Sequence, residues 1–133
     1  MRIYFENPVG RLIEHPNGYA LVQYAAGPRD FATFQAFLTH TSQMLRRQGW
    51  HKLLADQRLM APFTDEERRW VGEYWLAQSE IHGHELYGAI VVPSDVFARL
   101  SVNLVMNDSQ QSALTYQMFE DEAEAILWLN QLP

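Results

Sequence analysis

The chain has no cysteine among its 133 residues. Disulfide bonds, thiol catalysis and cysteine-ligated metal are therefore excluded, and the composition is compatible with a reducing compartment. Clustered cations are missing as well. Ten basic residues face sixteen acidic ones, the formal charge is −6, and the basic runs Arg46-Arg47 and Arg68-Arg69 stop at two residues. Nucleic-acid binding needs a concentrated cationic surface that displaces phosphate counterions, so that class is set aside. The longest apolar run, Ala89-Ile-Val-Val-Pro93, is far short of the roughly 20 residues that cross a bilayer. The opening Met1-Arg-Ile-Tyr-Phe-Glu-Asn-Pro8 lacks the apolar core of a secretory signal. We expect a cytoplasmic protein, and on that expectation Asn107-Asp-Ser109 is a chance match to the glycosylation pattern.

The chain also lacks a glycine-rich phosphate loop and a serine in an elbow context beside a base. No catalytic residue and no cofactor are expected. What is present is enough apolar material, 47% of residues, for one ordinary core over residues 1–133, which at this length buries roughly two-thirds of the unfolded surface.

Periodicity orders that material. Arg2–Glu6, Arg11–His15 and Tyr19–Tyr24 are β-prone runs. His15-Pro-Asn-Gly18 joins the last two; proline presets φ and Asn-Gly takes positive φ readily, so an antiparallel turn is expected. A helix follows over Asp30–Gln48, with Phe31, Phe34, Phe37, Leu38, Met44 and Leu45 on one stripe. Arg46 and Arg47 favour its C-terminal end, and Gly49 suits the residue beyond it. The strand Lys52–Gln57 leads to a helix over Asp65–Ile81, where Thr64 and Glu67 form a capping box. The segment Glu85–Pro93 reads as a central buried strand around Ile90-Val-Val92. Ser94 is expected to cap a third helix carrying Phe97, Leu100 and Leu104 at i, i+3, i+7. The segment Ala113–Phe119 is a further strand, and Asp121 with Glu124 opens a last helix ending near Leu132. Such alternation implies right-handed crossovers and a helix-clad, mostly parallel sheet, to which the N-terminal hairpin adds an antiparallel part. The fold class is α/β with a mixed sheet.

This order, with Lys52-Leu-Leu-Ala-Asp56 and the closing Phe119-Glu-Asp-Glu-Ala-Glu-Ala-Ile-Leu-Trp-Leu129, resembles the STAS domain. It is most similar to the small bacterial SpoIIAA-like (STAS/SEC14-like) proteins, related to anti-sigma-factor antagonists. The resemblance implies a non-enzymatic regulatory module that binds a protein partner, with Asp56 at the family's strand-ending aspartate. The antagonists carry a phosphorylated serine two positions on; here that position is Arg58, so the phospho-switch does not carry over.

Asp56, Arg58, Thr64 and Asp65 are candidates for an anion- or partner-binding rim, since Arg58 offers a bidentate fork and a helix start offers free N–H groups. Asp65 and Glu66 would repel an anion there, and the plainer reading is an Asp56–Arg58 pair beside an ordinary cap. Trp75 and Leu76 fall at or beyond the edge of the second helix's apolar stripe and are candidates for a protein interface, including a homodimer. His82-Gly-His84-Glu85 has the look of a metal site but lacks a fourth ligand, and a helix end closing at Gly83 explains it equally; no metal is expected. A second functional class is a small-ligand or lipid-binding domain, with Phe31, Phe34, Phe37, Met44, Met60, Phe63, Trp70 and Tyr74 around an apolar pocket. A third is an enzyme with Asp56 or Asp65 as acid or base.

Overall fold

A computed structural model describes residues 1–82, 86–108 and 114–132, with side chains described for 1–74, 86–107 and 115–132. In chain order the elements are β1 (Arg2–Asn7), β2 (Gly10–His15), β3 (Tyr19–Tyr24), α1 (Phe31–Gln48), β4 (Lys52–Asp56), α2 (Asp65–His82), β5 (Leu86–Val91), α3 (Val96–Asp108), β6 (Leu114–Phe119) and α4 (Glu122–Gln131). The strands form one sheet in the order β1-β2-β3-β4-β5-β6. The first two pairings are antiparallel and the remaining three parallel. The α/β class and the mixed sheet expected from the sequence are what the chain adopts.

Local chemistry accounts for the turns and ends. At the β2–β3 turn Gly18 takes φ 86° and its N–H donates to the His15 carbonyl at 3.0 Å. A β-carbon is disfavoured at that positive φ, so glycine suits the position. Asp30 caps α1 by accepting from the Thr33 N–H at 3.0 Å, and Gly49, at φ 69°, closes the helix onto the Arg46 carbonyl. The expected capping box opens α2: the Thr64 hydroxyl accepts from the Glu67 N–H, while Glu67 Oε1 accepts from the Thr64 N–H.

Because the strand order never reverses, right-handed connections return on one side of the sheet. There Phe34, Phe37, Leu38, Met44 and Leu45 of α1, Val71 of α2 and Val102, Val105 and Met106 of α3 pack on Val22, Leu53, Ala55 and Ile90. Alternation along the strands sends Tyr19, Leu21, Leu54, Ala89 and Val91 to the other side, where Ala125 and Leu129 of α4 cover them. The α2 helix joins α1 through Tyr74, whose hydroxyl donates to the Leu38 carbonyl and is hydrogen-bonded with the Ser42 hydroxyl.

Two expectations are corrected. Asp95, not Ser94, caps α3, accepting from the Ala98 N–H at 2.8 Å. The stripe Phe97, Leu100 and Leu104 faces outward, with Phe97 72% exposed, while Ala98, Ser101, Val102 and Val105 face the core. Both stripes have helical spacing; the one with the smaller residues is buried, and the close backbone neighbour of α3 is α2. The eight aromatic and methionine residues suggested as a pocket lining are mostly packing: Phe34, Phe37, Met44 and Met60 are buried in the core, and Trp70 stacks on Tyr74 at 4.7 Å.

Candidate functional site: the carboxyl end of β4

Strand β4 runs through the middle of the sheet, so its last residue emerges between β3 and β5. Alternation from the buried Leu54 directs Asp56 to the α4 side. Its carboxylate is nearly buried and holds Arg58 in a bidentate fork, Nε to Oδ1 at 2.9 Å and Nη2 to Oδ2 at 2.8 Å. The Arg58 N–H also donates to Oδ1, and Nη2 reaches Glu122 Oε2 at 3.2 Å. Burial alone would push the Asp56 carboxyl up, but hydrogen bonds and charge from Arg58, with a further bond from Gln23, hold it below its ordinary value. The arginine in turn draws the first turn of α4 to the strand end.

Arg58, Glu120, Asp121, Glu122, Ala123 and Ile126 surround an open depression beside this cluster. Leu59, next along the loop, is 67% exposed. Glu120 is paired with Arg99 through both carboxylate oxygens and is thereby held below the usual carboxylate range. The rim is therefore mainly acidic. Arg58 is spent on two carboxylates, an arrangement that repels an incoming anion.

Of the four residues suggested as a rim, Asp56 and Arg58 meet directly. Thr64 and Asp65 serve another device: Thr64 is the α2 cap, and Asp65 lies in solvent 3.7 Å from Arg68. The side chains of Trp75, Leu76 and His82, and residues 83–85, lie outside the described residues. Among the described residues no group of histidines and acids could hold a metal ion, and no helix is long and apolar enough to cross a membrane.

Sequence reasoning missed three groups. Arg29, in the β3–α1 loop, forks onto both oxygens of Glu67 at 2.9 and 2.7 Å and also donates to the Ala61 and Pro62 carbonyls. Both side chains are almost wholly buried, at 4% and 2% exposure, and the guanidinium lies against the Phe34 and Phe63 rings. Lys52, at the start of β4, donates to the Leu129 and Leu132 carbonyls at 2.9 and 2.8 Å, closing the C-terminal end of α4. Gln57, just past β4, is 96% buried (4% exposed) on the helix-rich side, and its Oε1 has no hydrogen-bond partner. A lone arginine before a cap and a glutamine after a strand carry no signal that would have singled them out. Lys52 opens a strand motif but points to no partner in sequence.

No family model matches the chain, and a search of curated proteins finds no relative.

Proposed function

We propose that the chain is a non-enzymatic, STAS-like interaction module of regulatory role that docks a protein partner on the rim around Arg58 and α4. The observation that carries this reading is the construction of the rim. Arg58 is fixed by Asp56 and Glu122, it shares an open depression with Glu120, Asp121 and Glu122, and the exposed Leu59 follows it in the chain. An apolar anchor framed by charge is how protein interfaces concentrate their affinity and orientation. The matching partner carries lysine or arginine around an apolar contact.

Two features weigh against the rival classes. A general acid or base works best with a pKa near the working pH, and Asp56 is displaced in the opposite direction. An acyl chain needs more room than the core cavity of about 50 Å³ provides. The resemblance of Lys52–Asp56 and of the 119–129 ending to STAS proteins points the same way.

The test is affinity capture with cross-linking mass spectrometry on the wild-type chain, Leu59→Asp and Glu120→Lys. The rim variants should lose at least about tenfold in recovery of the same partner, with wild-type cross-links mapping to 58–59 and 120–126. Equal recovery by both variants, or cross-links confined elsewhere, overturns the docking site.

A further inference from the structure

The outward face of α3 concentrates apolar surface that the fold leaves in water. Among the described residues nine large apolar side chains are exposed, and four of them lie on this one helix: Val96 (73%), Phe97 (72%), Leu100 (57%) and Leu104 (39%). The other five are spread over the β1 end of the chain, the β4–α2 connection, β6 and α4, as isolated surface hydrophobics ordinarily are. The α3 face carries no charge. Its remaining exposed positions are Asn103 and Asn107. Arg99, the one charged residue between 96 and 107, is held by the Pro93 carbonyl and by both carboxylate oxygens of Glu120. Val96, Leu100 and Leu104 are spaced four apart and so form a single ridge along the helix, with Phe97 beside it.

We propose that this face is an interface between two copies of the chain, with α3 packed antiparallel on α3 of the second copy about a two-fold axis through Leu100. The ridge is symmetric about that residue: reversing its direction lays Leu100 on its own counterpart and Val96 on Leu104 of the second copy. Ridges of this spacing interdigitate at a crossing of about −50°, the commonest class of helix packing. A two-fold contact needs a surface complementary to itself, and the chemistry supplies one. Each copy has a formal charge of −6, so two copies repel wherever carboxylates meet, and an uncharged face is where they approach most freely. A partner selected by its charge finds nothing to read on this stripe.

Area sets the strength. With roughly 150–250 Å² on a whole large side chain, the four exposures correspond to about 450 Å² per copy, a patch size that commonly has a function. The pair then buries about 900 Å² before the asparagines are counted, below the ~1,200 Å² of a standard stable interface and suited to reversible association. The contact is separate from the docking rim, because α3 packs on the helix-rich side of the sheet and α4 on the other. Neither reading depends on the other.

Sedimentation velocity of the intact chain between about 1 μM and 1 mM, which spans weak affinities, should show a monomer–dimer equilibrium. Leu100→Asp sets two carboxylates against each other at the axis and should raise the dissociation constant at least about tenfold. Leu127→Asp, on α4 and 61% exposed, should leave it unchanged. The absence of cysteine allows a second readout that does not depend on the charged variant. In air, Leu100→Cys should form a disulfide-linked dimer faster than Leu127→Cys at the same concentration, since a thiol on the axis meets its own counterpart. A wild-type chain that stays monomeric throughout the range overturns the proposal and gives the stripe to a different occupant. A dimer weakened equally by both aspartate variants, or equal rates of disulfide formation by both cysteine variants, overturns it too.

Discussion

Arg29 and Glu67 are brought together across 38 positions of sequence and removed almost entirely from water. Such a pair gains little net stability over well-packed carbon, because desolvation offsets most of the attraction. Breaking it from one side is another matter, since the survivor is a buried charge. Arg29→Met is expected to cost about 3–5 kcal/mol. Arg29→Met combined with Glu67→Leu should recover part of that loss, the lost α2 cap limiting the recovery. Urea denaturation of the single and double variants measures both. A similar argument at Asp56 gives a pH dependence. Its folded pKa is depressed, so its contribution is fully present above the unfolded value of about 3.9 and is lost as pH falls through the folded one. In Arg58→Leu the contacts from Arg58 vanish while burial and the Gln23 bond remain, so the folded pKa rises relative to the wild-type chain. The variant's deficit should be largest at pH 7 and shrink toward pH 3. Denaturation midpoints of both chains across that range decide it, and a deficit that is flat with pH would refute the assignment.

Among the elements, α4 shows most plainly how a strand and a helix are matched. Ten residues of helix span about 15 Å, and the stretch of β4 from Lys52 to Arg58 spans about 20 Å. The strand can therefore grip both helix ends at once. Arg58 holds Glu122 in the first turn and Lys52 closes the last carbonyls. Each contact also complements the helix dipole, with an acid at the positive end and a cation at the negative end. Lys52 is the only lysine in the chain. Lys52→Met is expected to weaken this attachment by about 1–3 kcal/mol. Hydrogen exchange should then accelerate about tenfold or more in 122–131 while α1 amides keep their rates; unchanged exchange in α4 would show that the apolar contacts of Ala125 and Leu129 suffice. The other element that repays comparison is α3. Its sequence offers two stripes of equal periodicity, and hydrophobicity alone favours the larger residues. The stripe that turns inward holds the smaller residues, on a helix whose close backbone neighbour is α2.

Across the molecule, most features with local causes could be read from sequence, the α3 cap at Asp95 excepted, and features with distant causes could not. The His15–Gly18 turn, the Asp121 cap, the Thr64–Glu67 box and the alternation that gives a mixed sheet all rest on residues within a few positions of one another. Asp56–Arg58 was readable for the same reason, being two positions apart. The third member, Glu122, is 64 positions away and was not. Nor were Arg29–Glu67, the grip of Lys52 on α4, or the cavity beside Gln57. A cavity is a shortfall of packing among many side chains and has no motif.

The one-way order of the strands has a mechanical consequence. The amino-terminal ribbon is backed by α1 on one side only, and on its other side Ile3, 53% exposed, meets solvent. The half built on β4, β5 and β6 lies between helices on both sides. The molecule is thus two-ply at one margin and three-ply at the other. Fraying should begin at the thin margin, leaving the laminated half as the last part to give way.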